Sequence, residues 1–196
     1  MTRVVDRQAL VAAGVGIGVA VTIGVSFLLV IPIEPVYWYL TIPSGLLIGY
    51  YSNQRAGRRG GAWPRILANA LAAGAITGVT FALLLLAVKA LFFTADNGYP
   101  DFNRTDGNGV PIPPVCQPGA DCVYRRYLAA GRAADLTAAG IVDADTFSRF
   151  YWANQLSTAG LLLVFATAGG VAGGVLFRVA NRSPGADTDP ALDPVG

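Results

Sequence analysis

The sequence predicts an all-α integral membrane protein, with four transmembrane helices in a bundle and a long external loop that contains one or two short helices. Its 196 residues are 54% hydrophobic and only 13% charged, and its mean hydropathy is +0.50. Average soluble chains carry about 25% charged residues. The apolar residues are also gathered into four blocks, and arginines flank these blocks. A water-soluble globular enzyme is therefore not expected.

Four apolar blocks account for the predicted spans, and they are Ala9–Ile31, Val36–Ser52, Ile66–Phe93 and Leu156–Phe177. About 20 apolar residues in a helix cross a hydrocarbon core of roughly 30 Å. The second block is at the short end of this range and contains Pro43, so a re-entrant hairpin is its main alternative. A helix on the surface of a soluble protein has only an apolar stripe, whereas these blocks are apolar all round. Tyrosine and tryptophan at block ends, as in Tyr37–Tyr39 and Phe150–Trp152, fit interfacial aromatic belts.

Basic residues near the span ends predict the orientation. The segment 53–65, between the second and third blocks, contains arginines and no acidic residue, and both chain ends also carry arginines beside their first or last span. Four spans place these three stretches on one side. We therefore expect a multi-pass protein of the cell membrane with cytoplasmic N- and C-termini and an external loop 94–154. The inner-face basic residues are Arg55, Arg58, Arg59 and Arg65.

The predicted domain organisation follows from these spans. It comprises transmembrane helices 1–3 in residues 1–93, the external loop in 94–154, transmembrane helix 4 in 155–182 and a disordered cytoplasmic tail in 183–196. The loop is rich in Asn-Gly, Asp-Gly and proline turn signals before Cys122. A short helix is expected over Val123–Ala139. A second helix is expected to start with Asp143 or Asp145 as its N-cap and to continue into the fourth block.

Small residues recur at steps of four in every block, which places them on one face of each helix. In lipid, such faces allow close backbone packing. We expect them mainly to pack the bundle, with self-association as the alternative, and the adjacent glycine pairs of the fourth block make it the candidate for an additional partner helix. The residues assigned to helix packing are Gly14, Gly18, Gly45, Gly49, Gly74, Gly78, Gly169, Gly170, Gly173 and Gly174.

The chain has two cysteines, Cys116 and Cys122, both in the predicted external loop. A disulfide between them would persist in an oxidising compartment and shape a short loop. Thiol–disulfide exchange is the alternative. The four-span plan with a cytoplasmic N-terminus resembles, in topology only, the quinone-reducing disulfide-oxidase membrane proteins. The resemblance implies a second cysteine pair in the first external loop, and Pro32–Pro35 contains none.

The composition limits the chemistry available. The absence of histidine removes Ser-His-Asp triads and histidine metal sites, and a net charge of +2 gives no support for nucleic-acid binding. We assign no catalytic residue, metal ligand or cofactor. The expected role is that of an accessory or scaffold subunit in the lipid bilayer, which contacts a protein partner through its external segment or forms a homo-oligomer. The alternatives are a membrane thiol–disulfide oxidoreductase that uses the two cysteines and a passive small-molecule channel or carrier.

Overall fold

A computed structural model describes residues 4–30, 34–59, 61–95, 108 and 116–181, and the predicted tail 183–196 lies outside them. Within these ranges the chain is helical and contains no strand, as the sequence predicts. The helices are α1 Arg7–Gly24, which continues as a π-helical turn Val25–Val30, α2 Glu34–Arg55, α3 Trp63–Ala95, α4 Ala120–Ala129, α5 Ala133–Ala138 and α6 Ala144–Ala180.

Three of these helical segments are long and apolar enough to cross a membrane: Arg7–Leu29, Trp63–Ala95 and Ala144–Ala180. Helix α2 has 22 residues but is less apolar, so the fourth span remains a prediction. At about 1.5 Å per residue, α3 and α6 are roughly 50 and 55 Å long. Both exceed a hydrocarbon core of about 30 Å, so each would extend beyond it.

The described residues form two compact units. The first consists of those up to Phe81 together with those from Leu162 onward, and it contains α1, α2, most of α3 and most of the apolar part of α6. The second lies within Ala82–Leu161 and contains the end of α3, the two short helices and the start of α6. We call them the bundle unit and the aromatic unit.

The short helices differ from expectation in two respects, since the first begins at Ala120 rather than at Val123 and is also interrupted. The helix expected over Val123–Ala139 is divided into α4 and α5, because Gly131 adopts a φ of 77°, a left-handed conformation that favours glycine. The second expected helix is confirmed. Its N-cap is Asp143, whose Oδ1 accepts the backbone N–H of Thr146 at 2.8 Å, and α6 then runs unbroken through the fourth apolar block.

Candidate functional site

Glycines bring the α2 and α6 backbones into direct contact in the bundle unit. A Cβ atom added at Gly45 or Gly49 would overlap a backbone carbonyl oxygen of α6, at Ala166 and Gly170 respectively. From the other side, a Cβ at Gly169 would lie 2.5 Å from the carbonyl oxygen of Ile42. These glycines thus allow the backbones of the two helices to pack directly against each other, as their predicted packing role requires. We call this contact surface the α2–α6 seam.

A second seam joins α6 to α3. A Cβ at Gly170 would lie 2.7 Å from the carbonyl oxygen of Ala70, and one at Gly174 would lie 2.7 Å from the Ala70 Cβ. Adjacent residues of an α-helix point about 100° apart, so the adjacent glycine pairs of α6 serve two neighbours. Gly169 and Gly173 face α2, while Gly170 and Gly174 face α3. The feature interpreted as a candidate for an additional partner helix is thus used for contacts within the chain.

Helix α1 packs through a face other than the predicted one. Gly14 and Gly18 are exposed, and a Cβ on either would meet no described atom within 4 Å. At Gly16, in contrast, a Cβ would overlap Oγ1 of Thr77 in α3 and lie 3.2 Å from Cγ2 of Ile48 in α2. Small residues occupy both faces of α1, so a four-residue step could not show which face meets the neighbouring helices.

A polar cluster ties the residue before α1 to the α2–α3 loop and to α3. We call it the Asp6 cluster, and it consists of Asp6, Asn53, Arg58 and Asn69. Arg58 donates two hydrogen bonds to the Asp6 carboxylate, of which the one from Nε is 2.7 Å long. Asn69 donates to the same carboxylate at 2.8 Å and accepts the Asp6 backbone N–H at 2.9 Å. Asn53, also buried, donates to the carbonyl of Ile66 at 3.0 Å.

These contacts keep the Asp6 carboxylate ionised. The hydrogen bonds from Arg58 and then Asn69 outweigh desolvation and lower the pKa of Asp6 from 3.8 to about 2. The two charged side chains are only 20% and 28% exposed, so solvent screens the pair incompletely. Arg58 was predicted as an orientation signal, and its partner was missed. The available signal was that Asp6 is the single acidic residue before Glu34.

The other predicted inner-face arginines have different surroundings. Arg55 and Arg59 are exposed and Arg65 is half-buried. The charge of Arg65 still acts on the Asp6 cluster, because it contributes to the lowered pKa of Asp6. The basic segment thus contains one arginine, Arg58, in an ion pair with Asp6, whereas Arg55 and Arg59 are exposed to solvent.

The aromatic unit has a core of its own. Its buried members come from α3, α4, α5, α6 and the turn before α6, and they are Phe93, Val123, Leu136, Ile141, Phe147 and Tyr151. The rings of Phe93 and Tyr151 stack with centroids 4.7 Å apart, and Tyr127 meets Phe147 edge-on at 5.0 Å. Such pairs add to the stabilisation from buried area. Tyr151, expected in an interfacial belt, therefore lies in a protein core.

The two cysteines lie at disulfide distance, with their Cα atoms 5.4 Å apart, in agreement with the predicted pairing. Cys122 is in the first turn of α4, next to the core residue Val123, and is only 1% exposed. Thiol–disulfide exchange needs access of an attacking thiolate to a sulfur atom. Cys122 is buried but Cys116 is half-buried, so an attacking thiolate could reach the disulfide only at Cys116.

Comparisons of the chain with protein-family models, with curated proteins and with solved structures found no match. Among the described residues, no three histidine, cysteine, aspartate or glutamate side chains are grouped so that they could hold a metal ion. In the part of the chain that the structure describes, the fold thus consists of helices, three of which are long and apolar enough to cross a membrane, packed in two units.

Proposed function

We propose that α2 is a fourth membrane span and that the cell membrane surrounds the bundle unit. The exposed side chains of α2 include Ile42 and Leu47, at 47% and 64%, whereas Thr41, Ser44 and Asn53 are buried. This distribution is opposite to that of a surface helix in water. The Thr41 and Ser44 hydroxyls donate to backbone carbonyls four residues earlier, at 3.0 and 2.6 Å, so they need no water.

The Asp6 cluster supports the proposed threading. If α1 and α2 both cross the membrane, the residue before α1 and the loop after α2 must lie on the same side. The Arg58–Asp6 ion pair joins these two segments. The arginines around them favour the cytoplasmic side. Both termini would then be cytoplasmic, and the loop 94–154 would be external.

The threading predicts a specific labelling pattern for single cysteines introduced into a Cys116→Ala/Cys122→Ala background. In intact cells, a membrane-impermeant maleimide should label Gly109→Cys directly and Gly60→Cys only after the membrane is permeabilised. The background chain without either new cysteine is the control. Labelling of both positions from one side would contradict four spans.

The proposed role is that of an accessory or scaffold subunit whose aromatic unit contacts a protein partner. The observation that carries this proposal is the separate core of the aromatic unit, together with its disulfide. A segment that only connected α3 to α6 would need neither. The backbone contacts along the α2–α6 and α3–α6 seams leave no space for a solute path there, so a channel along those seams is not favoured.

Purification from native membranes in a mild detergent should yield a partner protein in fixed stoichiometry. Val142 is 69% exposed in the turn before α6, so Val142→Glu should weaken that association while the aromatic core stays intact. Thr137→Glu, on the exposed side of α5, is the matched control for added charge. A chain that is recovered alone, with its aromatic unit folded, would contradict the scaffold role.

A further inference from the structure

A recess in the aromatic unit has the size and lining of a small-molecule site. Its volume is about 130 Å³. For comparison, an engineered apolar protein cavity of about 150 Å³ binds benzene. The lining includes four aromatic residues, Tyr127, Phe147, Phe150 and Tyr151, and the other lining residues that matter here are Leu136 and Gln155. A single aromatic ring therefore matches the recess in size and in surface chemistry.

One lining side chain indicates that the ring of the ligand would carry a hydrogen-bond donor. Gln155 is 8% exposed, and its buried Oε1 atom has no hydrogen-bond partner among the described residues. A buried acceptor without a donor costs about 1–3 kcal/mol, so native proteins rarely leave one unsatisfied. Because this oxygen is itself buried, the Gln155 side chain would have to rotate toward the recess to bring Oε1 beside a ligand O–H or N–H, and that hydrogen bond would remove the cost.

The rim of the recess favours a neutral ligand. Arg132 and Asp135 both line it and form an ion pair, with 3.5 Å between Nε and Oδ2. Their charges offset each other. The Arg132 guanidinium also lies 5.4 Å from the centre of the Tyr127 ring, so this ring already has a cation–π partner within the protein. A charged ligand would therefore gain no unpaired counter-charge at the rim.

We infer that the aromatic unit binds a neutral, single-ring aromatic molecule that carries one hydrogen-bond donor, a phenol being the simplest representative. Leu136 and the rings would enclose the apolar part of the molecule, and Gln155 Oε1 would accept its hydrogen bond. The site would act independently of the proposed protein partner, because its lining residues all belong to one unit of this chain.

The test uses the full chain in detergent and fluorine NMR with two probes of similar size, 4-fluorophenol and fluorobenzene. Saturable binding of 4-fluorophenol is expected, about tenfold tighter than that of fluorobenzene because only the phenol donates a hydrogen bond. Gln155→Leu should bring the two affinities together. This variant should fold, since it replaces an unsatisfied acceptor with an apolar group of similar size. Equal affinities in the original chain would overturn the role of Gln155.

A second variant distinguishes binding of the probes in the recess from their uptake into the detergent. Ala139 lines the recess and is exposed, so Ala139→Leu should fill space within it without entering the aromatic core. Saturable binding of both probes should then be lost. Saturable binding that persists in Ala139→Leu, or none in the original chain, would overturn the proposed site.

Discussion

Gly49→Ala is expected to destabilise the bundle unit by about 3 kcal/mol, the upper part of the range for overpacking a well-packed core. The added methyl group would overlap the carbonyl oxygen of Gly170, and this atom belongs to a backbone rather than to a flexible side chain. Relief requires that α6 move away from α2, which would also loosen the neighbouring contacts at Gly45 and Gly173. The midpoint of thermal unfolding in a mild detergent should fall clearly.

Gly14→Ala is the matched control for this substitution. It makes the same chemical change within an apolar helix, but a Cβ at Gly14 meets no described atom within 4 Å. Since alanine is the better helix former by about 1 kcal/mol in water, stability should stay the same or rise slightly. A similar loss in both variants would mean that the α2–α6 seam is not the source of the effect.

A double variant tests whether the seam behaves as one contact surface. Gly45→Ala alone should also destabilise, because its methyl group would overlap the carbonyl oxygen of Ala166 on α6. Once the first substitution has moved α2 away from α6, the methyl group of the second substitution overlaps α6 less. The loss in Gly45→Ala/Gly49→Ala should therefore be smaller than the sum of the two single losses. Additive losses would indicate two independent sites.

Local features of the sequence predicted local features of the fold. The apolar blocks predicted long helices. Asp143 and Asp145 were the two candidate N-caps for α6, and Asp143 is the one that caps it; this start could be predicted because a side chain that caps a helix acts within three residues. The pairing of Cys116 with Cys122 also lies within a short segment. The break at Gly131 was missed, since glycine is compatible with both a continued helix and a left-handed turn.

Contacts between segments that are distant in the sequence could not be predicted from such local patterns. Periodicity shows which residues of α1 share a face, but it does not show whether Gly14 or Gly16 meets the next helix. The Asp6–Arg58 pair spans 52 positions, and no local pattern links its members. The core around Phe93 and Tyr151 likewise joins separate helices. A tyrosine near a span end fits a membrane interface equally well, so its burial follows only from the folded chain.

The Asp6 cluster leads to a second prediction with a large effect, which concerns how the stability of the fold depends on pH. A carboxylate whose pKa is lower in the folded than in the unfolded chain stabilises the fold fully at pH values above its unfolded pKa. The contribution is lost as the pH falls through the folded pKa. For Asp6, with a pKa of about 2 against 3.8, it should disappear between about pH 4 and pH 2. The shift corresponds to about 2 kcal/mol.

Asp6→Asn should therefore be less stable than the original chain by about 2 kcal/mol at pH 7, and the two stability curves should converge as the pH approaches 2. Unfolding in a non-ionic detergent, measured at a series of pH values, provides both curves. The control is Asp121→Asn, which breaks an ion pair with Arg125 whose side chains are 59% and 68% exposed. Because exposed pairs contribute little, that change should stay below about 0.5 kcal/mol. Parallel curves for Asp6→Asn and the original chain would contradict the assignment.

Arg58→Gln then separates the ion pair from the rest of the cluster. It removes the strongest donor to Asp6 but leaves the carboxylate in its largely buried position with Asn69. The pKa of Asp6 should rise, because the hydrogen bonds and the charge of Arg58 are causes of its low value. A shielded carboxylate without its cation is less favourable than an asparagine at the same position. Arg58→Gln should therefore be less stable than Asp6→Asn at pH 7, and adding Asp6→Asn to it should restore part of the loss.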